Sequence, residues 1–134
     1  MSARCGSLSA LLLVVALSWP FTRLQADPSP PTQARVLVQR TLAAGLRHHD
    51  AKAVWSDLRE GDAVDLVREG DNLHDRGAVR IDWRGRVLGY VPARDNADLA
   101  RQLDRGQALR ARITKVTLFR NYRKKLEVEI YIDL

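Results

Sequence analysis

The sequence predicts one small, mainly β domain with short helices: a partly open antiparallel barrel of five or six strands behind an N-terminal leader. Three observations carry this. Apolar residues alternate with polar ones through Val64 and Leu66, then Val79, Ile81 and Trp83, then Leu109, Ala111 and Ile113, and finally Leu126, Val128, Ile130 and Ile132. A period of two puts one face of each strand in a core and leaves the other wet. Short polar or glycine-bearing turns separate these runs, and only residues 95–105 carry a convincing helix signature.

The first 26 residues are read as a signal peptide. Arg4 supplies a positive start, and residues 8–19 (LSALLLVVALSW) form an apolar run of twelve, ahead of a tolerable cleavage site at Leu24-Gln25-Ala26. A bilayer core requires about 20 apolar residues, so the run suits a cleavable signal better than a membrane anchor. The expected organisation is a signal peptide over 1–26, a proline-rich disordered leader over 27–34, and a β-barrel domain over 35–134. No transmembrane segment is expected after cleavage, and the expected location is periplasmic or secreted. Cys5, the single cysteine, lies in the signal, so the mature domain has neither a disulfide nor a thiolate metal site. Cleavage takes away Arg4 and Arg23 and no acid, lowering the formal net charge from +6 to +4. That mild positive balance fits a polyanion binder without demonstrating one.

Residues 35–46 (RVLVQRTLAAGL) mix strand and helix periodicities; their β-branched content and closing Gly45 favour a first strand. Arg47-His48-His49-Asp50 follows its end. Residues 51–58 (AKAVWSDL) read as a loop or one helical turn tucking Trp55 and Leu58 under the sheet. A turn over 59–62 precedes a strand over 63–68, and a polar loop, Asp71 to Gly77, leads to a strand over 78–83. Arg84-Gly85 makes a two-residue connection, glycine suiting the left-handed conformation of a tight hairpin. In the strand over 86–91, Gly89 marks a place where another backbone or a ring approaches closely. Asp95 or Asn96 is expected to cap the helix, Leu99, Ala100 and Leu103 to form its buried side, and Gly106 to end it. In the last two strands Arg110 and Arg112 on one and Glu127, Glu129 and Asp133 on the other can pair across the wet face. The basic loop 120–125 (RNYRKK) joins them.

The run Leu66-Val67-Arg68-Glu69-Gly70-Asp71-Asn72-Leu73-His74-Asp75-Arg76-Gly77-Ala78-Val79, then Gly89-Tyr90-Val91-Pro92 and the Leu99/Leu103 helix, resembles the HIRAN domain family. That family's pattern is roughly Arg-Glu-x-x-Asn-x-x-Asp-x-x-Ala-Val followed by Leu-Gly-Tyr-Val-Pro, and Gly45-Leu46-Arg47-His48 is similar to its upstream Gly-hydrophobic-Arg-aromatic segment. The resemblance covers most of residues 45–132. It implies a small OB-like or SH3-like antiparallel β-barrel of about six strands, here as a stand-alone copy of bacterial type. In members fused to helicase-like remodellers the domain captures the 3′ end of single-stranded DNA. By that resemblance Arg47 contacts a phosphate, His48 and His74 stand at the two aromatic stacking positions, Asn72 is the loop asparagine, and Asp75 accepts a hydrogen bond from the terminal 3′-hydroxyl. Arg68 can join Arg47 and the basic loop in tracking a phosphate backbone, and Tyr90 of the Gly-Tyr-Val-Pro run completes the candidate nucleic-acid-binding set. A carboxylate repels an internal phosphate and accepts a free hydroxyl, which is how it selects an end.

The chain departs from the pattern in three ways. Histidines hold both stacking positions; they offer less area than tyrosine and charge as pH falls through about 6.5. Gly70-Asp71 and Leu73 replace prolines common in the loop. The export signal points away from replicating DNA and towards an envelope ligand or partner protein.

Each candidate also has a plain reading. Asn72 and Asp75 are common in turns that bond their own backbone, Arg47 is an ordinary surface charge at a strand end, and Trp55, Trp83 and Tyr90 suit a core. His48, His49, Asp50, His74 and Asp75 are of types that bind zinc, although no ligand spacing motif supports a site. No nucleophile–base pair or phosphate-cradling glycine loop is present, so neither catalysis nor a cofactor is expected.

Overall fold

The computed structural model describes residues 33–134. The expected signal peptide and residues 27–32 of the expected leader lie outside the described residues. Six strands form one antiparallel sheet: β1 (Arg35–Leu42), β2 (Ala63–Arg68), β3 (Val79–Trp83), β4 (Arg86–Tyr90), β5 (Arg110–Leu118) and β6 (Lys124–Asp133), in the order β1-β6-β5-β2-β3-β4. A short helix, α1 (Ala51–Val54), sits between single turns of 3-10 helix at Leu46–His48 and Trp55–Asp57, and α2 (Ala93–Asp104) follows β4.

The sheet is not closed, since β1 and β4 are its edges. They nevertheless meet just past the end of β1, where the Ala44 N–H donates to the Tyr90 carbonyl (2.8 Å) and the Tyr90 N–H to the Ala44 carbonyl (3.0 Å). The result is a partly open, OB-like barrel stitched at one point. Gly89 makes the stitch possible, because a methyl group there would stand 2.2 Å from the Ala44 carbonyl oxygen. The close backbone approach expected at Gly89 is therefore made by Ala44.

Alternation decides which side chains fill the interior. Val64, Val79, Ile81, Leu88, Ile113, Leu126, Val128 and Ile130 are buried, and Leu46, Ala51, Val54 and Leu58 seal one side. Trp83 is buried with its indole N–H donated to Asp62 Oδ2 (3.0 Å), whereas Trp55 and Tyr90 are only half-buried. The β3–β4 turn is the expected two-residue hairpin, with Arg84 at φ 47° and Gly85 at φ 76°. Arg112 stands opposite Glu129 in the β5–β6 ladder and donates to it at 2.7 Å, as the cross-strand pattern of charges predicts, but Glu129 is buried there and not on a wet face.

The first strand is borne out as β1, ending at Leu42, and one expectation, the helix cap, is corrected. The mixed periodicity of residues 35–46 has a cause in β1, where the register against β6 shifts between Leu37 and Gln39. Val38 is the extra residue of a bulge, which interrupts the period of two that a strand otherwise shows. Asp95 and Asn96 do not cap α2: the helix starts at Ala93 with Pro92 at its cap position and no side-chain cap. Pro92 ends β4 and admits the helix without needing an N–H, leaving both polar side chains for other elements. Asp95 Oδ2 accepts from Thr41 Oγ1 (3.2 Å) and its carbonyl from Gln39 Nε2 (2.9 Å), holding α2 to β1. The C-terminus is as expected, with Gly106 at φ 78° and its N–H donated to the Leu103 carbonyl (2.9 Å).

Candidate nucleic-acid interface

The β2–β3 loop is built around Asn72. Its Oδ1 accepts from the N–H groups of His74 (2.9 Å) and Asp75 (3.2 Å), and its Nδ2 donates to Glu69 Oε2 (3.1 Å). Asp75 closes the far side: Oδ1 accepts from the Gly77 N–H (2.8 Å), and the carbonyl from the Ala78 N–H (3.0 Å). Its Oδ2 accepts from the Asn96 amide on α2 (2.6 Å). The turn roles of Asn72 and Asp75 are thus real, and they fix a loop whose outer side chains, Leu73, His74 and Arg76, are exposed.

Under the loop lies a charged hub. Glu69 accepts from Arg80 Nη1 (2.7 Å), the Tyr90 hydroxyl (3.0 Å) and Asn72, while Arg80 is held by both oxygens of Asp82 (2.8 and 2.9 Å). Burial alone would raise the Glu69 carboxyl, but the donors Asn72, Tyr90 and Arg80 outweigh it and hold the group below the usual carboxylate range. Burial and the Glu69 acceptor push the Tyr90 phenol up. The Arg80 guanidinium is pushed up chiefly by its bonds to Asp82, against burial.

Tyr90 links this loop to the upstream segment, its ring centroid lying 5.3 Å from that of His49 at a 56° tilt. Arg47 and His48 stand on the 3-10 turn beside it, which the buried Leu46 pins to the core. Their side chains are exposed and line a cleft of about 840 Å3 with Ala43, Gly45, Lys52 and the β5–β6 tip residues Asn121, Tyr122, Arg123 and Lys124. Four cations (Arg47, Lys52, Arg123 and Lys124) line it, and no carboxylate does. Tyr122 is 84% exposed.

The sequence-derived set therefore divides. Asn72, Asp75 and Tyr90 share one hydrogen-bonded network with Glu69, and His74 lies exposed at its surface. Arg47 and His48 lie in the cationic cleft, joined to that network through His49. Arg68 faces another way, its Nε 3.0 Å from Asp104 Oδ1 on α2 and its Nη1 donating to the Ala78 carbonyl. Sequence reasoning gave no role to Glu69, Arg80 or Lys52, missed the loop contact of Asn96, and joined the loop 120–125 to Arg47 without singling out Tyr122. Glu69 is the glutamate of the Arg-Glu-x-x-Asn pattern, and its spacing three residues before Asn72 is the signal for its role. Among the described residues no group of three or more His, Cys, Asp or Glu side chains is placed to hold a metal ion, and no helix is long and apolar enough to cross a membrane.

Comparison with known proteins bears on this geometry. The fold is similar to a solved Lactobacillus plantarum protein, with 27% identity, 75% of this chain and 98% of that chain covered, and a TM-score of 0.63. It is also similar to the HIRAN domain of human HLTF, with 18% identity, 72% and 77% of the two chains covered, and a TM-score of 0.58. No curated protein matches the sequence. The family model for the HIRAN domain matches residues 36–134, from β1 through β6, and the chain belongs to that family.

Proposed function

We propose that the domain is a non-catalytic nucleic-acid-binding module that captures the 3′ end of single-stranded DNA. The observation that carries the reading is a fixed loop carboxylate, Asp75, linked through Asn72, Glu69, Tyr90 and His49 to a cleft lined with cations and no acid. The cleft supplies a phosphate track, whose binding weakens with salt as counterions are released. Tyr122, His48 and His74 offer exposed rings for stacking, a contact worth about 1–3 kcal/mol per base on an aromatic ring. Asp75 sets the terminus, accepting a free hydroxyl and repelling a phosphate.

The test is a fluorescence titration with short labelled oligonucleotides ending in a 3′-hydroxyl or a 3′-phosphate. The reading expects tighter binding of the hydroxyl end, weakened selectively by Asp75→Ala, whereas Arg47→Ala weakens both ends and flattens the salt dependence. Equal affinity for the two ends sinks end capture.

A second reading follows from the N-terminal residues. Arg4 and the apolar run 8–19 support export, and histidines in place of stacking tyrosines support a changed ligand: an exported module in the periplasm or medium whose cleft takes an envelope ligand or partner protein. Fractionation against a cytoplasmic marker, with sequencing of the mature N-terminus, separates the readings. A chain beginning near Asp27 outside the inner membrane favours the second; an intact Met1 in the cytoplasm removes it.

A further inference from the structure

We propose that Asn96 is a positioning residue for the Asp75 carboxylate and sets how sharply the loop prefers a terminal hydroxyl to a terminal phosphate; this rests on the end-capture reading. Asn96 is a polar side chain only 3% exposed, on the inward side of α2 beside Leu99 and Ala100. It caps nothing; its amide instead donates to Asp75 Oδ2 at 2.6 Å. Asp75 Oδ1 is taken by the Gly77 N–H at 2.8 Å. Each carboxylate oxygen thus has one donor from inside the protein, which fixes rotation about Cβ–Cγ. The remaining lone pair on each oxygen is the acceptor left for a ligand.

Gly77 shows that the contact is built in. It does not have positive φ, so backbone conformation does not demand glycine. Space does: a Cβ at Gly77 would lie 2.8 Å from Asn96 Oδ1 and 3.3 Å from Asp75 Oδ1. The missing side chain makes room for Asn96 to reach the loop.

The experiment measures the ratio of dissociation constants for oligothymidines ending in 3′-phosphate and 3′-hydroxyl, using the full chain. Asn96→Ala is expected to cut that ratio by about tenfold, the size of one charge-assisted hydrogen bond, with the salt slope unchanged. Should Asn96→Ala fail to fold, Gly77→Ala provides the second variant; its methyl group crowds the Asn96 amide and, less closely, Asp75 Oδ1, disturbing the same contact with Asn96 still present, and the same fall is expected. Asn96→Asp puts a second carboxylate against Asp75, so its ratio is low at neutral pH and recovers as pH falls and the new acid becomes a donor. Asn96→Ala does not recover. The wild type is carried through the same pH series because His74, Arg76 and Asp95 also flank the contact. A wild type that discriminates while Asn96→Ala and Gly77→Ala discriminate equally well overturns the inference alone. A wild type with no preference overturns the end-capture reading and the inference with it.

Discussion

Glu69 shows what one residue does here. Its carboxylate accepts from three different elements: Asn72 of the loop, Arg80 of β3 and Tyr90 of β4. Replacing it with alanine leaves all three donors to find water in a half-buried place, at a cost of about 1–3 kcal/mol. Urea unfolding of Glu69→Ala is expected to show that loss. Glu69→Gln isolates the charge. Burial is the larger cause of the raised Tyr90 phenol and Glu69 the next, so Glu69→Gln should bring the Tyr90 titration down only part of the way towards its ordinary value of about 10. An ultraviolet pH titration checks this, and an unmoved titration would break the assignment of the Tyr90–Glu69 bond.

Among the elements, the β1–β4 stitch is the most exposed to a single change. Gly89→Ala places a methyl group against the Ala44 carbonyl oxygen, which is backbone and cannot swing away. The expected cost is about 1–3 kcal/mol by chemical denaturation, the usual range for forcing an extra carbon into packed space, with loss of hydrogen-exchange protection at Ala44 and Tyr90. Gly89 was legible in the sequence as a glycine inside a strand. The end of β2, both ends of β3 to within a residue, and the Arg112–Glu129 pairing were legible for the same reason: alternation and turn chemistry act over a few neighbours. Three features were missed. The bulge at Val38 depends on β6, the start of α2 on Pro92 closing β4, and the burial of Asn96 on a loop twenty residues upstream. The first and third are fixed by partners distant in sequence, of which a local pattern carries no record, whereas Pro92 is adjacent to α2 and its part in starting the helix was open to a local reading. The site divides the same way: Asn72 and Asp75 could be named from their motif and Arg47 could be joined to the basic loop 120–125 by charge, while the arrival of Lys52 in the same cleft depends on how α1 packs in the folded barrel.

For the whole molecule, pH links these local facts to stability. Glu129 is held below the usual carboxylate range, first by its bond from Arg112, against burial, and further by Arg40; Glu69 is lowered as well. A carboxyl whose folded pKa is depressed stabilises the fold at pH values above its unfolded pKa, about 4.3 for glutamate, and that contribution is lost as pH falls through the lower folded value. Thermal unfolding at pH 7 and pH 3 should therefore show a loss on acidification, and Glu129→Gln should make that loss smaller. Arg112 and Arg40 are partly exposed, so screening keeps the change to about 1 kcal/mol.

The hydrogen bond from the Leu134 N–H to the Ala34 carbonyl (3.0 Å), next to the paired Arg35 and Asp133, brings residues 34 and 134 together. From there β1 runs eight residues before the chain enters the cationic cleft, a distance of roughly 25 Å at strand rise. The two junctions are thus neighbours at one end of the sheet, with the cleft at the other. A linker joining residues 34 and 134, with new ends cut at the exposed Arg84–Gly85 turn, should give a circular permutant that keeps the wild-type oligonucleotide affinity. The same geometry would let the domain be spliced as a cassette into a surface loop of another protein, with its cleft pointing away from the host.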